Sequence, residues 1–448
     1  MSYSPQSLLD SLGAALSELG SGDQCLVGLS GGLDSVVLLH ALASLREQSH
    51  PAMKLRAIHV NHQLQPAAAD WELHCQKLCT QLGIECITRR VEIPDSSGIE
   101  NAAREARYRE FEAALSPAEV LLLAHHRDDQ METVLLRLMR GAGSRGLGGI
   151  PASRALGASR LLRPLLAIDR AELLQYGETC ELSWIEDESN ADTSFDRNYC
   201  RHQLLPLIEA RWPGYRESVS KSAVLAAESE ALLQDLAAID LTQIVAPTAG
   251  ALQRDKLLAL PEPRRRNLLR HWLQSLGAAD LSWNQLQQLS VEILGGAESR
   301  FLADGFQLHC YRDKLYALAD DALNVLPEAM PLAELRQNAA LPLANNGSLQ
   351  FREAEGAGLV HGQGGSLSIR YRQGGETCRL SGRPSKSLKK ILQESELPPW
   401  LRGRIPLLYH GEDLACIPGV GVCDGFAAKP GEAGYLVDWQ PPDMTLRA

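Results

Sequence analysis

The segment LVGLSGGLDS, residues 26–35, sets two glycines and an aspartate directly behind an apolar run. Cys25, Leu26, Val27 and Leu29 read as a buried strand, apolar and partly β-branched. Val36, Val37, Leu38, Leu39, Ala41 and Leu42 read as an apolar helix. Ser30 to Ser35 therefore fall on a strand-to-helix turn, where free backbone N–H groups and the helix dipole favour an anion. Gly31 and Gly32 let the backbone approach that anion without a Cβ, and Ser35 adds a hydroxyl donor. The stretch lacks the Lys-Ser/Thr ending of a Walker loop, so nothing in it reaches for a γ-phosphate. An ordinary capped glycine turn shares this short pattern, so the rest of the chain decides between them.

A chain of 448 residues suggests two or three domains. With 45% hydrophobic and 22% charged residues it has the composition of a soluble globular protein, and no apolar run is long enough for a membrane span. The opening MSYSPQSLLDSLGAAL lacks a basic start followed by an apolar core, so it reads as a short amphipathic helix and not as a secretion signal. The ten cysteines form no C-x-x-C pair. Cys75 and Cys79, with His74 beside them, have poor zinc spacing and read as helix packing. Reduced thiols and a cytoplasmic location are expected. A net charge of −11 argues against indiscriminate nucleic-acid binding but allows a local basic surface.

From Asp23 to about Ile185 strands alternate with helices: QCLVGLS, LRAIHVNH, ECITRRVEI and EVLLLAHH each precede a helical pattern. Such alternation predicts an α/β fold, a doubly wound, mostly parallel sheet whose ligands gather at the carboxyl ends of its strands. Ser30, Asn61, His62, His125 and His126 fall at those ends. Asp169 and Glu172 form a possible capping box, and a long helix is expected from about Glu217 to Leu241. The expected domains are a catalytic domain over 1–216, a mainly helical domain over 217–326, a linker over 327–365 and a small α+β domain over 366–448.

The stretch LLLAHHRDDQMETVLLRLMRG, residues 121–141, delivers His125 and His126 to a strand end and Asp128, Asp129 and Glu132 to the following helix. Acids at a helix N-terminus are favoured by the dipole alone. Two histidines and three acids exceed that need and could hold magnesium or bind and deprotonate an amine. The H-x-E…C-x-x-C signature of zinc deaminases is absent.

SGGLDS, HVNHQL, AHHRDDQMETVLLRLMRGAG, LLRPLL, EDESNADTSFDRNYCR and the C-terminal SLKKILQESELPPWLRGRIPLLY together resemble the tRNA(Ile)-lysidine synthetase family, in its proteobacterial three-domain form. The first motif alone resembles the wider PP-loop ATP pyrophosphatases, of the adenine nucleotide alpha hydrolase-like fold. The resemblance implies that ATP adenylates the 2-carbonyl oxygen of the wobble cytidine in an isoleucine tRNA with a CAU anticodon. The ε-amine of free L-lysine then displaces AMP. It also implies that Ser30, Gly31, Gly32, Leu33, Asp34 and Ser35 hold ATP, with Asp34 at a Mg2+–pyrophosphate. Asp128 and Asp129 become catalytic candidates, and Glu132, His125, Arg104 and Arg107 candidates for lysine or substrate, Tyr108 completing an R-x-x-R-Y motif. Arg197, Asn198 and Arg201 become candidates for tRNA phosphate. Gln65 and Phe195 depart from the usual family residues and are assigned no role.

Between Arg370 and Arg404 stand nine Lys or Arg against three Glu. A solvated helix face is the ordinary explanation, but Lys386, Lys389, Lys390, Arg402 and Arg404 flank PPW with its Trp400, and an RNA-backbone contact is favoured. Arg264, Arg265, Arg266 and Arg270 form a second candidate patch. A tRNA thiolation enzyme is the rival within enzymes, though it typically carries C-x-x-C pairs. A catalytically inactive RNA-binding relative is the rival outside them, expected to lose Asp34 or the acidic motif. The oligomeric state is open, with a homodimer one option.

Overall fold

The computed structural model describes the chain apart from residues 1–3, 18, 20–23, 64–66, 93–98, 247–249, 297–298, 326, 333–339, 361–366 and 447–448. Gln65 lies outside the described residues. The chain divides into two compact units, Met1–Leu232 and Leu233–Ala448.

The first unit opens with α1 (Pro5–Ala15), capped by the Ser4 side chain, and continues β1 (Gln24–Gly28), α2 (Leu33–Gln48), β2 (Lys54–Asn61), α3 (Ala68–Gln81), β3 (Glu85–Arg90), α4 (Ile99–Ala114), β4 (Val120–Leu122) and α5 (Arg127–Met139). A single turn α6 (Ser144–Leu147), the hairpin β5 (Ser153–Leu156) and β6 (Ser159–Leu162), and α7 (Arg170–Thr179) follow. The unit ends with α8 (Asp196–Tyr199), a π-helical turn, α9 (Leu205–Arg211) and the start of the long α10 (Tyr215–Ile244). The six strands run in the order β3-β2-β1-β4-β6-β5, parallel throughout except for the β5–β6 hairpin.

Cys25, Leu26 and Val27 are wholly buried because helices cover both faces of β1. On one face Cys25 and Val27 join Leu8, Leu12, Val36, Leu39 and Tyr176; on the other Leu26 joins Ile58, Phe111, Leu121 and Leu161. The chain winds outward from β1 through β2 to β3, then returns to place β4 on the other side of β1. That reversal opens a crevice at the carboxyl ends of β1 and β4, the position where doubly wound sheets bind ligands.

In the second unit, β7 (Ala251–Gln253), α11 (Arg254–Ala259), α12 (Glu262–Ser275), α13 (Trp283–Gln288), β8 (Arg300–Ala303), β9 (Phe306–Tyr311) and β10 (Lys314–Ala319) surround a core containing Leu252, Leu268, Leu269, Trp272, Phe306 and Leu308. The expected helices are present, together with an antiparallel sheet in the order β7-β10-β9-β8.

The expectation of a linker over 327–365 is not met in its described part. After α14 (Asp320–Asn324) come β11 (Met330–Leu332), β12 (Ala340–Pro342), β13 (Ser348–Glu355) and β14 (Leu359–Val360). β13 alternates buried Leu349 and Phe351 with Gln350 and Arg352, and its partner β21 (Ala433–Gln440) lies far along the chain. The glycine and asparagine content that suggested a linker serves the turn before β13, where Asn345 and Gly347 adopt φ of 53° and 70°. Between β14 and β21 lie β15 (Leu367–Arg370), β16 (Thr377–Cys378), β17 (Lys386–Ser387), α15 (Leu388–Glu394), β18 (Leu407–His410), β19 (Asp413–Ile417) and β20 (Gly421–Val422). β11 joins β15, β18, β19 and β20 in a five-stranded sheet.

One thiol expectation is also corrected: Cys378 and Cys423 form a disulfide. Forty-five residues separate them, and pairing across that distance is set by packing, which cysteine spacing does not reveal. Cys75 and Cys79 are buried on α3, as the helix-packing reading expects.

Candidate active site

The turn after β1 is organised by Ser35. Its Oγ accepts the backbone N–H of Ser30 and of Gly31, both at 3.2 Å, and donates to the Gly32 carbonyl at 3.0 Å. The Gly32 N–H is taken by Ser30 Oγ at 3.3 Å. The turn's first amides are thus held by its own serines, and Ser35 shapes the loop where a ligand donor was expected. Gly31 has φ of +91°, and a Cβ there would stand 2.5 Å from Ile185 Cδ1. The Ile185 N–H also donates to the Gly31 carbonyl at 2.9 Å, which pins the loop against the segment after α7.

A cavity of about 440 Å³ lies at the crevice between β1 and β4. Leu29, Ile58, Val60, Phe111 and Leu123 supply an apolar wall, and Ser30, Asp34, Asn61, His62, Arg107, His125 and Asp129 supply polar groups. Asp187 and Ser189 close it from the segment after α7. The combination suits a ligand with an aromatic body and a polar end.

His126 is the N-cap of α5, its side chain accepting the Asp129 N–H while the Asp129 carboxylate accepts the His126 N–H. Only 1% exposed, it turns Nε2 towards Asp34 Oδ2 and Asp129 Oδ2, each 3.5 Å away. Because Nδ1 accepts a backbone N–H, the proton belongs on Nε2. Burial pulls its pKa down, but the Asp34 hydrogen bond and the surrounding carboxylates leave it raised overall. Asp129 shows the reverse: burial pushes it up, and the charges of His126 and Arg197 with the hydrogen bond from the His126 N–H bring it net below the usual carboxylate value. His125 is held at about 3 by burial and the charges of Arg163, Arg197 and Arg107, against the opposing pull of Asp129. It is a neutral imidazole, and its buried Nδ1 has no hydrogen-bond partner.

The acidic motif separates into three environments. Asp129 faces the cavity. Glu132 is fully buried and accepts from Arg197 Nε at 2.6 Å and Arg201 Nε at 2.6 Å. Asp128 accepts from Arg216 Nε of α10 at 2.7 Å and does not line the cavity. The expectation of Glu132 as a lysine or substrate ligand is therefore corrected, since its oxygens are committed to two guanidinium groups. The same bonds correct the expectation for Arg197 and Arg201: they neutralise Glu132 and Asp129 where tRNA phosphate was expected. Asn198 donates to the Ser189 and Asp192 carbonyls and braces the segment that closes the cavity. Phe195 is exposed and precedes α8.

Arg107 lines the cavity, whereas Arg104 stands over the Tyr108 ring on the outer side of α4. In the second unit, Arg404 is 5% exposed and spends its guanidinium on the carbonyls of Leu323, Val325 and Asn345, so a phosphate cannot reach it. Arg402 donates to the Leu397 carbonyl and the Tyr311 hydroxyl. Trp400, expected to be open for stacking, packs against His309, Tyr311 and Tyr316. Lys386 pairs with Glu394, while Lys389 and Lys390 are exposed. The Arg264 patch dissolves likewise: Arg264 pairs with buried Asp240, Arg265 binds three carbonyls and Arg266 binds Glu262 and Gln287.

The role of His126 was not read from the sequence, although AHH placed it at a strand end. Asp187 and Ser189 lie in the EDESNADTSFDRNYCR motif but were assigned no role, because their approach depends on how the chain returns after α7. Among the described residues no three His, Cys, Asp or Glu side chains gather as a metal cluster. Magnesium on a phosphate substrate needs only one or two protein carboxylates. Asp34 Oδ1, buried without a hydrogen-bond partner and 3.9 Å from Arg170 Nε, fits that demand. No helix among the described residues is long and apolar enough to cross a membrane.

Residues 8–208 match a PP-loop domain family, residues 252–316 the TilS substrate binding domain and residues 367–439 the TilS substrate C-terminal domain. The chain is 42% identical to a tRNA(Ile)-lysidine synthase of Pseudomonas fluorescens over 426 residues, 93% of either chain. It is 40% identical to that of Coxiella burnetii, over 98% of this chain and 97% of the relative. It is 42% identical to that of Yersinia pseudotuberculosis, over 98% of each.

Proposed function

The chain belongs to the tRNA(Ile)-lysidine synthase family, and from that membership we propose how its cavity carries out the reaction. The enzyme uses ATP to ligate lysine to the 2-carbon of the wobble cytidine in the CAU-anticodon isoleucine tRNA. The cytidine 2-oxygen attacks the α-phosphorus and pyrophosphate leaves. The lysine ε-amine then attacks the 2-carbon, loses a proton, and AMP departs with the oxygen.

The observation that carries this reading is the meeting of the Ser30–Ser35 turn and the His125–Asp129 segment at one switch-point cavity. The apolar wall around Ile58 and Phe111 takes the adenine, and the turn at the start of α2 takes the phosphates. Asp34 would hold magnesium, which when bound supplies charge neutralisation on the departing pyrophosphate. Asp129 and His126 orient that carboxylate, and Asp129 faces the lysine ammonium. Neutral His125, whose Nδ1 has no hydrogen-bond partner, accepts a hydrogen bond from the ε-amine and orients it for attack.

Cys75, beneath Gly31, has its thiol pushed up to about 12 by burial, the reverse of what sulfur transfer requires. The test is exchange of labelled pyrophosphate into ATP in the presence of tRNA, followed by incorporation of labelled lysine. Exchange without lysine incorporation would overturn the assignment.

A further inference from the structure

Tyr108 carries a cluster of cations that the ATP cavity does not use. Arg104 lies 5.2 Å and Arg154 4.7 Å from its ring centroid, each guanidinium over the ring. Arg163, only 4% exposed, stands behind them, its Nη2 donating to the Tyr108 hydroxyl at 3.4 Å and its Nη1 to the Pro151 carbonyl at 2.7 Å. The buried Arg163 Nε has no hydrogen-bond partner. Among the described residues neither Arg104 nor Arg154 makes an ion pair, and both are exposed. Burial pushes the Tyr108 phenol up, yet the charges of Arg104, Arg163 and Arg154 bring it net below its ordinary value. In a chain of net charge −11, guanidinium groups gathered without a carboxylate call for an external anion.

We propose that Arg104 and Arg154, held over the Tyr108 ring, form a phosphate subsite for the backbone of the RNA substrate beside the nucleotide being modified. The proposal rests on the lysidine-synthase reading for the identity of the RNA. Its place in the fold favours RNA over the triphosphate of ATP. Arg154 is on β5, the edge strand of the sheet, and Arg104 is on the exposed side of α4. The adjoining Arg107 lines the cavity, so a strand of RNA whose base enters there would carry its phosphates across this ring. The ring fixes both side chains, which lowers the entropy cost of clamping a phosphate.

The experiment is a salt titration of tRNA binding by the full chain, comparing wild type with Arg154→Gln and with the Arg104→Gln/Arg154→Gln pair. ATP affinity is measured on the same samples by calorimetry. The single change should weaken tRNA binding about three- to tenfold at moderate salt and flatten the slope of log affinity against log salt by roughly one unit or less; the pair should roughly double the slope change. ATP affinity should stay the same, which also reports a folded catalytic unit. If the pair fails to fold, the exposed Arg154→Gln variant decides. Superimposable slopes would overturn the proposal, as would weaker ATP binding with tRNA binding intact, which would assign the cluster to the triphosphate. Absent lysine incorporation by the wild type would instead overturn the functional reading, and the binding titration would still judge the subsite.

Discussion

His126 Nε2 lies 3.5 Å from Asp34 Oδ2, so the residue that caps α5 also reaches the aspartate in the first turn of α2. Two helix N-termini, arriving from separate strands, are joined through one imidazole. Replacing His126 with alanine removes the cap and should cost about 1 kcal/mol of stability. His126→Asn keeps a capping acceptor but cannot span to Asp34. It should retain most of the stability and still lose adenylation rate. Equal adenylation rates in His126→Asn and wild type would show that the contact has no part in the reaction.

Asp34→Asn keeps the shape of the side chain and removes its charge. Adenylate formation should fall on the order of 100-fold or more, the scale seen when a transition-state electrostatic contact is lost. Affinity for tRNA should remain within about twofold, since phosphate contacts remote from Asp34 supply it. Pyrophosphate exchange and filter binding on one preparation measure both quantities.

Glu132 is a structural carboxylate, fully buried between Arg197 and Arg201. Removing it leaves Arg197 and Arg201, both partly exposed, to share Asp129 alone, and losing these charge-assisted bonds should cost about 1–3 kcal/mol. Glu132→Ala should therefore unfold at markedly lower denaturant concentration. A midpoint equal to wild type would show that the arginines find other partners.

Acid should weaken the fold before the carboxylates titrate. His125 is held at about 3, and His40, His59, His62 and His309 are also lowered, each chiefly by burial. Below about pH 6.5 the unfolded chain binds protons at these histidines that the folded chain refuses, so stability falls as pH falls. For His125 the slope approaches about 1.4 kcal/mol per pH unit once the unfolded imidazole is charged. His126, raised overall, opposes this: its contribution is fully present below about pH 6.5 and is lost as pH rises through its folded value. Urea denaturation between pH 7 and pH 5 should show the net loss, and His125→Asn should reduce its slope. Stability that rises over that interval would contradict the assignment of neutral, buried histidines.

Lys389 and Lys390 are the exposed cations of α15, whereas Arg404 is buried among carbonyls. Neutralising both lysines should raise Kd for tRNA by a few-fold and flatten its salt dependence by roughly one to two units, leaving the KM for ATP unchanged. Arg404→Ala should act through stability, lowering the melting temperature of the C-terminal unit. A salt slope unchanged in the double lysine variant would make that helix face an ordinary solvated one.

Short-range pattern carried a great deal of this protein. The apolar run before Ser30, the glycines after it and the apolar helix beyond were enough to place β1, the turn and α2, because strand and helix periodicities are local. The ordered motifs from SGGLDS to the C-terminal segment were enough to identify the family resemblance. Tertiary structure alone decided which charged groups meet. Glu132 lies 65 residues from Arg197 and Arg404 lies 79 from Val325, and nothing in either local stretch tells a surface arginine from a buried one. The strands within 327–365 escaped notice for the same reason, since β13 becomes a strand by pairing with β21 across more than seventy residues. Helical hydrogen bonds close within four residues and leave a local trace, whereas ion pairs and sheet partners depend on contacts that form only when the whole chain has folded.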